Sequence, residues 1–89
     1  MNLHGQVAVL TGAASGIGRA TALALAQRGC HLALADIDTA GLAETAAAAA
    51  AHGVTVSQHP LDVASRDAVA ALPAVVLAVH GRVSLLINN

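Results

Sequence analysis

The sequence predicts an α/β fold in which a parallel sheet of four strands, in the order 3-2-1-4, has helices on both faces. Short apolar runs alternate with segments of helical periodicity along the whole chain, as in parallel strands joined by right-handed crossovers. A glycine-rich loop directly follows the first apolar run. The third strand has a polar face, which suits the outermost position in this order. We expect two helices on one face of the sheet and one on the other.

The first three elements are predicted as a strand over residues 7–10, a helix over residues 16–28 and a strand over residues 32–35. Both strands are almost wholly apolar, which is typical of strands covered on both faces. The helix repeats small apolar residues at helical spacing, and Gly29 can end it. These two strands are therefore expected in the middle of the sheet, with Cys30 packed at the start of the second as a small apolar residue.

The next two elements are a helix over residues 39–52 and a strand over residues 54–59. Six consecutive alanines in the helix have the best helix propensity, and Gly53 follows them as a stop. The strand alternates apolar and polar residues, and Pro60 is expected to end it because proline cannot donate to a strand ladder. We therefore predict an edge strand.

The last two elements are a helix over residues 66–80 and a strongly apolar strand over residues 84–88. Ser65 is a suitable N-cap, and Asp67 lies in the favourable first turn of the helix. Pro73 falls inside this helix, where it removes one hydrogen bond. The sequence therefore leaves open a single kinked helix or two short helices.

The loop over residues 11–18 reads TGAASGIG, and its three glycines suit a dinucleotide phosphate. Gly12 allows a sharp turn out of the strand, and Gly16 allows the main chain to approach a pyrophosphate closely. Gly18 allows the following helix to pack close to the sheet. Because the helix begins within the loop, its free N–H groups and the positive end of its dipole would face the anion. Asp36 ends the second strand at about the 20-residue offset expected of a ribose-binding carboxylate.

These motifs resemble the amino-terminal part of the short-chain dehydrogenases/reductases. The glycine motif has the spacing T-G-x-x-x-G-x-G, whereas the extended branch would need glycine where this chain has Ser15. Asp62-Val63 after the third strand and Asn88-Asn89 at the end match two further signatures, so the resemblance covers the whole chain. It implies a partial Rossmann fold and, in the complete protein, hydride transfer between NAD and an alcohol or carbonyl substrate.

The resemblance also implies how the chain is organised and which chemistry it lacks. Residues 1–89 would be the amino-terminal dinucleotide-binding part of a Rossmann domain, truncated within the Asn-Asn-Ala-Gly motif. Members of the family transfer protons with a Tyr-x-x-x-Lys pair, and this sequence contains neither tyrosine nor lysine. No catalytic residue is therefore expected, and the chain should be inactive alone. The alternative to part of an enzyme is a non-catalytic dinucleotide-binding fragment with no activity of its own.

We expect NAD rather than NADP as the cofactor. The Asp36 carboxylate would accept hydrogen bonds from both adenosine ribose hydroxyls, whereas a 2′-phosphate would meet it as a like charge. Many NADP-using relatives have basic residues before the second motif glycine and after the acid, and here these are Ser15 and Ile37. A methyltransferase that uses adenosylmethionine also has a glycine loop and an acid, but the wider glycine spacing and Asn88-Asn89 argue against it.

The resemblance assigns further residues to the cofactor. Asp62 would bind the adenine amino group, with the Val63 backbone at a ring nitrogen, although Asp62 also suits a turn or helix cap. Asn89 would lie beside the cofactor ribose. The complete set expected at the cofactor is Gly12, Ser15, Gly16, Ile17, Gly18, Asp36, Ile37, Asp62, Val63 and Asn89.

Other polar residues near this set are expected to be mainly structural. By the same resemblance, Asn88 would help to hold the glycine loop, and Thr11 would brace the first strand against the fourth. Arg19 is left open between a phosphate contact and an exposed position in the first turn of the helix.

Composition argues against several classes of partner. A net charge of −1 with four arginines offers no basic patch for nucleic acid and no polybasic membrane signal. The five histidines lack helical pairing, so no metal site is expected. A single cysteine and an amino terminus unlike a signal peptide predict a cytoplasmic protein. The family resemblance implies a homo-oligomer for the full-length protein.

Overall fold

The computed structural model describes residues 2–89. This part of the chain contains four strands and three helices in alternation. The strands are β1 (Val7–Thr11), β2 (His31–Asp36), β3 (Val56–Pro60) and β4 (Leu85–Ile87), and the helices are α1 (Gly16–Gln27), α2 (Thr39–Ala50) and α3 (Arg66–His80). Within residues 2–89, none of the helices has the length and apolarity that crossing a membrane requires.

The four strands of the described residues form one parallel sheet in the order β3-β2-β1-β4, which confirms the predicted fold class. β1 pairs with β2 along its whole length, with Val7 opposite His31, and it pairs with β4 over three residues. Every residue of β1 is buried, whereas the residues of β3 are all half-buried or exposed. β1 and β2 are therefore the inner strands, and β3 is an edge strand, as the sequence predicts.

Alternate residues of the inner strands enter two separate clusters, one on each face of the sheet. One face packs against α1 and α2 through a cluster that includes Leu10, Leu34, Leu42 and Cys30. The other face packs against α3 through the residues Val7, Val9, Ala33, Ala35, Leu72 and Val76. Two helices therefore cover one face and one covers the other, as predicted.

Cys30 packs as a small buried residue, which confirms its predicted role. Burial raises the pKa of its thiol, and a hydrogen bond with the backbone of Ala8 only partly offsets that effect. The thiol therefore stays protonated and unreactive at neutral pH.

The bounds of β3 differ from the prediction at both ends. The strand starts at Val56 rather than at Val54, because the Thr55 amide donates to Nδ1 of His31 instead of to a strand carbonyl. The sequence predicts that β3 ends at His59, directly before Pro60, but Pro60 is itself the last residue of the strand. An edge position tolerates it, since its missing N–H can face away from the ladder.

β4 is shorter than predicted because residues on both sides of it hydrogen-bond through side chains. The Ser84 hydroxyl accepts the Val7 amide at 3.2 Å, so Ser84 lies before the strand. Asn88 lies after the strand and directs its side chain at Thr11.

α1 and α2 also end earlier than predicted. Arg28 is the C-cap of α1 rather than its last residue. The amides of His52 and Gly53 each bond to a carbonyl three residues back, which forms a tight turn after α2. Gly53 has a φ of 85° in this turn, a value that glycine adopts readily.

α3 is one continuous helix with Pro73 inside it, so the structure selects the single helix over two short ones. The Ser65 hydroxyl accepts the Ala68 amide at 3.3 Å, which confirms the predicted N-cap. Gly81 follows the helix with a φ of 79° and donates its amide to the Leu77 carbonyl. Because Pro73 has no N–H, one carbonyl in the preceding turn lacks its helical partner.

A polar cluster of Ser57, His59 and His80 joins β3 to the end of α3. The Ser57 hydroxyl oxygen lies 2.7 Å from Nε2 of His59 and 2.8 Å from Nε2 of His80. The Ser57 hydroxyl can donate to Nε2 of one imidazole and accept from a protonated Nε2 of the other. Both hydrogen bonds can therefore form when the rings are neutral and carry their protons on different nitrogens. Burial lowers the pKa of both histidines. Repulsion between like charges lowers each pKa further, from His80 on His59 and from His31 on His80. The cluster therefore favours uncharged rings.

Candidate cofactor site

The segments that follow the four strands meet at the carboxyl edge of the sheet, which is where ligands bind in open parallel folds. The glycine loop follows β1, Asp36 ends β2, Asp62 follows β3 and Asn88 follows β4. The Leu61 amide donates to the Asp36 carbonyl at 3.1 Å, which ties the segment after β3 to the end of β2. The edge therefore gathers residues that are far apart in the sequence.

Each of the three loop glycines meets a different physical requirement. Gly12 has a φ of 65° and Gly16 a φ of 57°, so both adopt the left-handed conformation. A β-carbon at Gly12 would lie 3.1 Å from Cβ of Asn89, whereas one at Gly16 would point into open space. A β-carbon at Gly18 would overlap the carbonyl oxygen of Gly12. Close packing at Gly18 is thus as predicted, although its immediate partner is the glycine loop rather than a strand.

The amino end of α1 is suited to an anion. Ser15 precedes the helix in an extended conformation, and among residues 2–89 its side chain finds no backbone amide to cap. The first turn of α1, all of it in the described chain, carries no acidic residue. The first amides of a helix lack intrahelical acceptors and carry the positive end of the dipole. This end of α1 can therefore bind a phosphate group without a lysine.

Asp36 holds the glycine loop from the neighbouring strand. Its Oδ2 accepts the Ala14 amide at 2.9 Å, and its Oδ1 accepts the Asp38 amide at 3.0 Å. Partial burial raises the pKa of Asp36, but hydrogen bonds from the backbones of Asp38, Ala14 and Ile37 outweigh it and lower the pKa below 3.8. The carboxylate is therefore charged at neutral pH, and each oxygen keeps lone-pair capacity for a further donor.

Arg19 is not a free surface residue, because its side chain bonds to the glycine loop and to α2. Its Nη2 lies 2.6 Å from the Ala14 carbonyl and 3.2 Å from the Gly41 carbonyl, and its Nε lies 2.9 Å from Oγ1 of Thr45. It also forms an ion pair with Glu44 at 3.2 Å. No pattern in the sequence predicts this network, because apart from Ala14 the partners of Arg19 lie on α2.

The amino end of α2 packs against the glycine loop through a small residue. A β-carbon at Gly41 would lie 2.9 Å from the Ala14 carbonyl oxygen and 3.0 Å from Cβ of Ala14. The Asp38 side chain accepts the Gly41 amide at 3.0 Å and caps α2. An acid directly before a helical segment is a recognised N-cap signal, so Asp38 could have been predicted from the sequence.

Three apolar side chains predicted at the cofactor are exposed around this edge. Ile17 is 78%, Ile37 68% and Val63 57% exposed. Asp62 is exposed as well, and its Oδ1 accepts the Ala64 amide at 2.9 Å. Asp62 therefore fills the turn role that the sequence left open, while its second oxygen remains available to a ligand.

The end of β1 and the segment after β4 are joined by polar side chains. The Thr11 hydroxyl donates to Oδ1 of Asn88 at 3.3 Å and accepts the Asn89 amide at 3.4 Å. The Asn89 side-chain amide donates to the Thr11 carbonyl at 2.9 Å. Thr11 is buried, so its predicted role as a brace between the first and fourth strands is confirmed. Asn89 contacts the glycine loop as closely as Asn88 does.

Other features of the surface lie away from these residues. An apolar depression of about 470 Å³ follows the outer face of α1 between Leu3 and Arg28, and it shares only Ile17 with the predicted site. In the described part of the chain, no group of three or more histidine, cysteine or acidic side chains could hold a metal ion.

Comparison with known families agrees with this geometry. The family described as short chain dehydrogenase matches residues 6–89, which include the glycine loop, Asp36, Asp62 and Asn89. The chain belongs to the short-chain dehydrogenase family. Its four-stranded parallel sheet and helices superimpose closely on a solved short chain dehydrogenase/reductase.

Individual oxidoreductases are similar to this chain over almost all of its length. SadH of Mycobacterium tuberculosis is 50% identical over 88 residues, which are 99% of this chain and 32% of SadH. A short chain dehydrogenase/reductase from Burkholderia phymatum, in complex with NAD, is 42% identical with a TM-score of 0.90 over 97% of this chain and 31% of its own. A metagenomic short-chain oxidoreductase in complex with NADP is 40% identical with a TM-score of 0.87 over 97% of this chain and 39% of its own. The chain thus spans about a third of the length of these relatives.

Proposed function

We propose that this chain binds the adenosine diphosphate half of NAD, as the cofactor-binding part of an enzyme that transfers hydride between NAD and an alcohol or carbonyl substrate. The observation that carries the proposal is the Asp36 carboxylate, which accepts the Ala14 amide of the glycine loop at 2.9 Å. One residue thereby links the position of a ribose-binding acid to that of a phosphate-binding loop.

The residues present fit the dinucleotide. Space is open where a β-carbon at Gly16 would lie, so a pyrophosphate can approach the main chain there. The loop and the amino end of α1 would hold the pyrophosphate, with Ser15, Ile17 and Gly18 beside it. Asp36 would accept the ribose hydroxyls. The adenine would lie by Ile37, Asp62 and Val63, and Asn89 would lie by the second ribose. Bound NAD would supply the hydride acceptor.

A preference for NAD over NADP follows from charge. Asp36 is ionised at neutral pH, so it would repel the 2′-phosphate of NADP and lose its bonds to the ribose hydroxyl. Ser15 and Ile37 supply no compensating cation. Since a hydrogen bond to a charged group contributes about 1.5–3 kcal/mol, NAD should bind at least about tenfold more tightly. Similar proteins have been solved in complex with NAD and in complex with NADP. The preference of this chain must therefore be measured as its affinity for each dinucleotide.

Calorimetric titration of the chain tests this proposal directly. NAD should bind more tightly than NADP, and adenosylmethionine should not bind. Asp36→Asn should weaken NAD binding about tenfold and reduce the discrimination against NADP. Asp67→Asn, which removes the same charge from the first turn of α3, is the matched control and should leave both affinities unchanged. Tighter binding of NADP by the unmodified chain would refute the inference from Asp36.

The second candidate function is a dinucleotide-binding fragment with no activity of its own, and the lack of tyrosine and lysine favours it for the chain alone. Without those side chains, the chain has no group to take the proton from an alcohol as family members do. An assay of NAD-dependent oxidation of a panel of alcohols should therefore stay at background. Turnover that depends on the chain would contradict this view and would require another proton acceptor.

We also propose a cytoplasmic location and, for the longer protein, a homo-oligomer. The buried, unpaired Cys30 supports a reducing compartment. Family resemblance alone supports the oligomer. Fractionation of the source cells tests the location, and light scattering of the longer protein tests the oligomer.

A further inference from the structure

We infer that Arg19 is a positioning residue for the dinucleotide: it fixes the glycine loop by holding the Ala14 carbonyl, and so prepares the loop before the cofactor arrives. The inference rests on the proposed binding of NAD. The motif alone does not predict it, because the arginine lies beyond the last glycine and, apart from Ala14, its partners come from α2.

The contacts of Arg19 occupy one side of its guanidinium group. Nε and Nη2 reach the Thr45 hydroxyl, the Gly41 carbonyl and the Ala14 carbonyl, at distances between 2.6 and 3.2 Å. Thr45 is fully buried, so its bond with Nε lies out of water. The Arg19 side chain is only about a third exposed. This arginine is therefore held in one geometry by several partners at once.

Ala14 is held from two directions. Its amide donates to Asp36 at the end of β2, and its carbonyl accepts from Arg19 on α1. Gly41 of α2 packs against the same residue, at distances that a side chain would not permit. Three elements thus determine where the middle of the glycine loop lies relative to the ribose-binding acid.

Holding the loop in this way favours binding. A loop that is already in its bound conformation loses little conformational freedom when the ligand arrives, so less of the interaction energy is lost to ordering. Without Arg19, the Ala14 carbonyl loses a charged donor, and Gly12 and Gly16 give the freed loop many alternative conformations. Cofactor affinity should then fall even if Arg19 never touches a phosphate.

The experiment compares the unmodified chain with Arg19→Gln, and with Thr45→Val as a milder variant that removes the buried partner of Nε together with the bond from Thr45 to the Gly41 carbonyl. Affinity for NAD is measured by calorimetry at low temperature, on variants whose circular dichroism matches that of the unmodified chain. Exchange of the Ala14 amide hydrogen is measured by NMR without cofactor. We expect Arg19→Gln to weaken NAD binding about tenfold and to speed Ala14 exchange by a similar factor, with smaller effects in the same direction for Thr45→Val.

A control separates positioning from general destabilisation. Val76→Ala removes a buried side chain on the opposite face of the sheet and should lower stability without changing NAD affinity. Unchanged NAD affinity in Arg19→Gln would overturn the inference. So would weakened affinity with unchanged Ala14 exchange, since that result indicates a direct contact between Arg19 and the phosphates. If the unmodified chain itself fails to bind NAD, the proposed function fails, while Ala14 exchange still reports whether Arg19 holds the loop.

Discussion

Ala14 donates its amide hydrogen to Oδ2 of Asp36 across a distance of 2.9 Å, so the acid that ends β2 supports the loop that follows β1. Asp36 is therefore a structural residue as well as a candidate ligand of the ribose. A substitution at this position should alter stability and binding together, and the two effects can be separated by their pH dependence.

Asp36→Asn should make the chain less stable at neutral pH, by about 1 kcal/mol, because its amide group accepts fewer and weaker hydrogen bonds. The folded state lowers the pKa of Asp36 below 3.8, so its stabilising effect is present above that pH and is lost as the pH falls through the folded-state pKa. The difference between the two chains should therefore shrink in acid. Urea unfolding across the acid range measures it, and a difference that is constant with pH would contradict the role of the charge.

Gly18→Ala should prevent stable folding or cost about 3 kcal/mol, since the new β-carbon would overlap the Gly12 carbonyl oxygen. Gly53→Ala provides the comparison, because a β-carbon there enters open space at a φ of 85°. That substitution should cost only about 1–2 kcal/mol of backbone strain. Urea unfolding of both variants tests the order, and equal costs would argue against a close contact at Gly18.

The cluster of Ser57, His59 and His80 should make stability depend on pH in the mildly acidic range. The folded state lowers the pKa of both histidines below 6.5, so the folded chain binds fewer protons than the unfolded chain. The stabilising effect of the neutral rings is therefore present above pH 6.5 and is lost as the pH falls below it. Unfolding free energies measured between about pH 8 and pH 5 should decrease with acidification.

His80→Gln should remove more than half of this decrease, because one ring no longer titrates and His59 loses a repulsive neighbour. Arg82 and His31 line the same polar cavity as His80, and both side chains remain in the variant. His52→Gln, at an exposed position after α2, should keep the full decrease. A parallel shift of the whole curve in His80→Gln would show that the ring packs without titrating.

Pro73→Ala should stabilise the chain by about 1–3 kcal/mol. Pro73 is exposed inside the continuous helix α3, and alanine would restore the missing N–H and improve helix propensity. Pro73→Gly restores the N–H but brings a smaller gain in helix propensity than alanine does, so it should stabilise less. Thermal unfolding ranks the three chains, and an unchanged or lower midpoint for Pro73→Ala would show that the ring makes a contact that outweighs its cost.

Most of the fold could be predicted because its signals are local. The apolar runs of β1 and β2 mark strands covered on both faces, and the alternation from Val56 to His59 marks an edge. The errors lie at element ends, where side chains replace backbone partners. The His31 ring accepts the amide of Thr55, and the Ser84 hydroxyl accepts the amide of Val7. β3 and β4 therefore begin later than their sequence patterns predict.

The candidate site was predictable only in its motif residues. The spacing of Gly12, Gly16 and Gly18 is enough to predict a phosphate-binding turn, because the glycines that the turn needs all lie within one short segment. Arg19 and Gly41 were missed because their roles arise where α1 and α2 meet. The pairing of His59 with His80 was missed for the same reason, since it joins a strand to a helix through Ser57. Periodicity within one element cannot reveal such contacts.

The two strands that pair with β1 are synthesised at very different times, because β2 follows it closely in the sequence and β4 lies near the end of the described residues. Val7 of β1 pairs with His31 of β2, which is close to it in the sequence, whereas its bond to Ser84 spans 77 positions. Contacts close in sequence can form while later residues are still being synthesised. We therefore expect β1, α1 and β2 to acquire protection from hydrogen exchange on a nascent chain that still lacks β4. Until β4 arrives, one edge of the most buried strand is open to solvent and to other nascent chains.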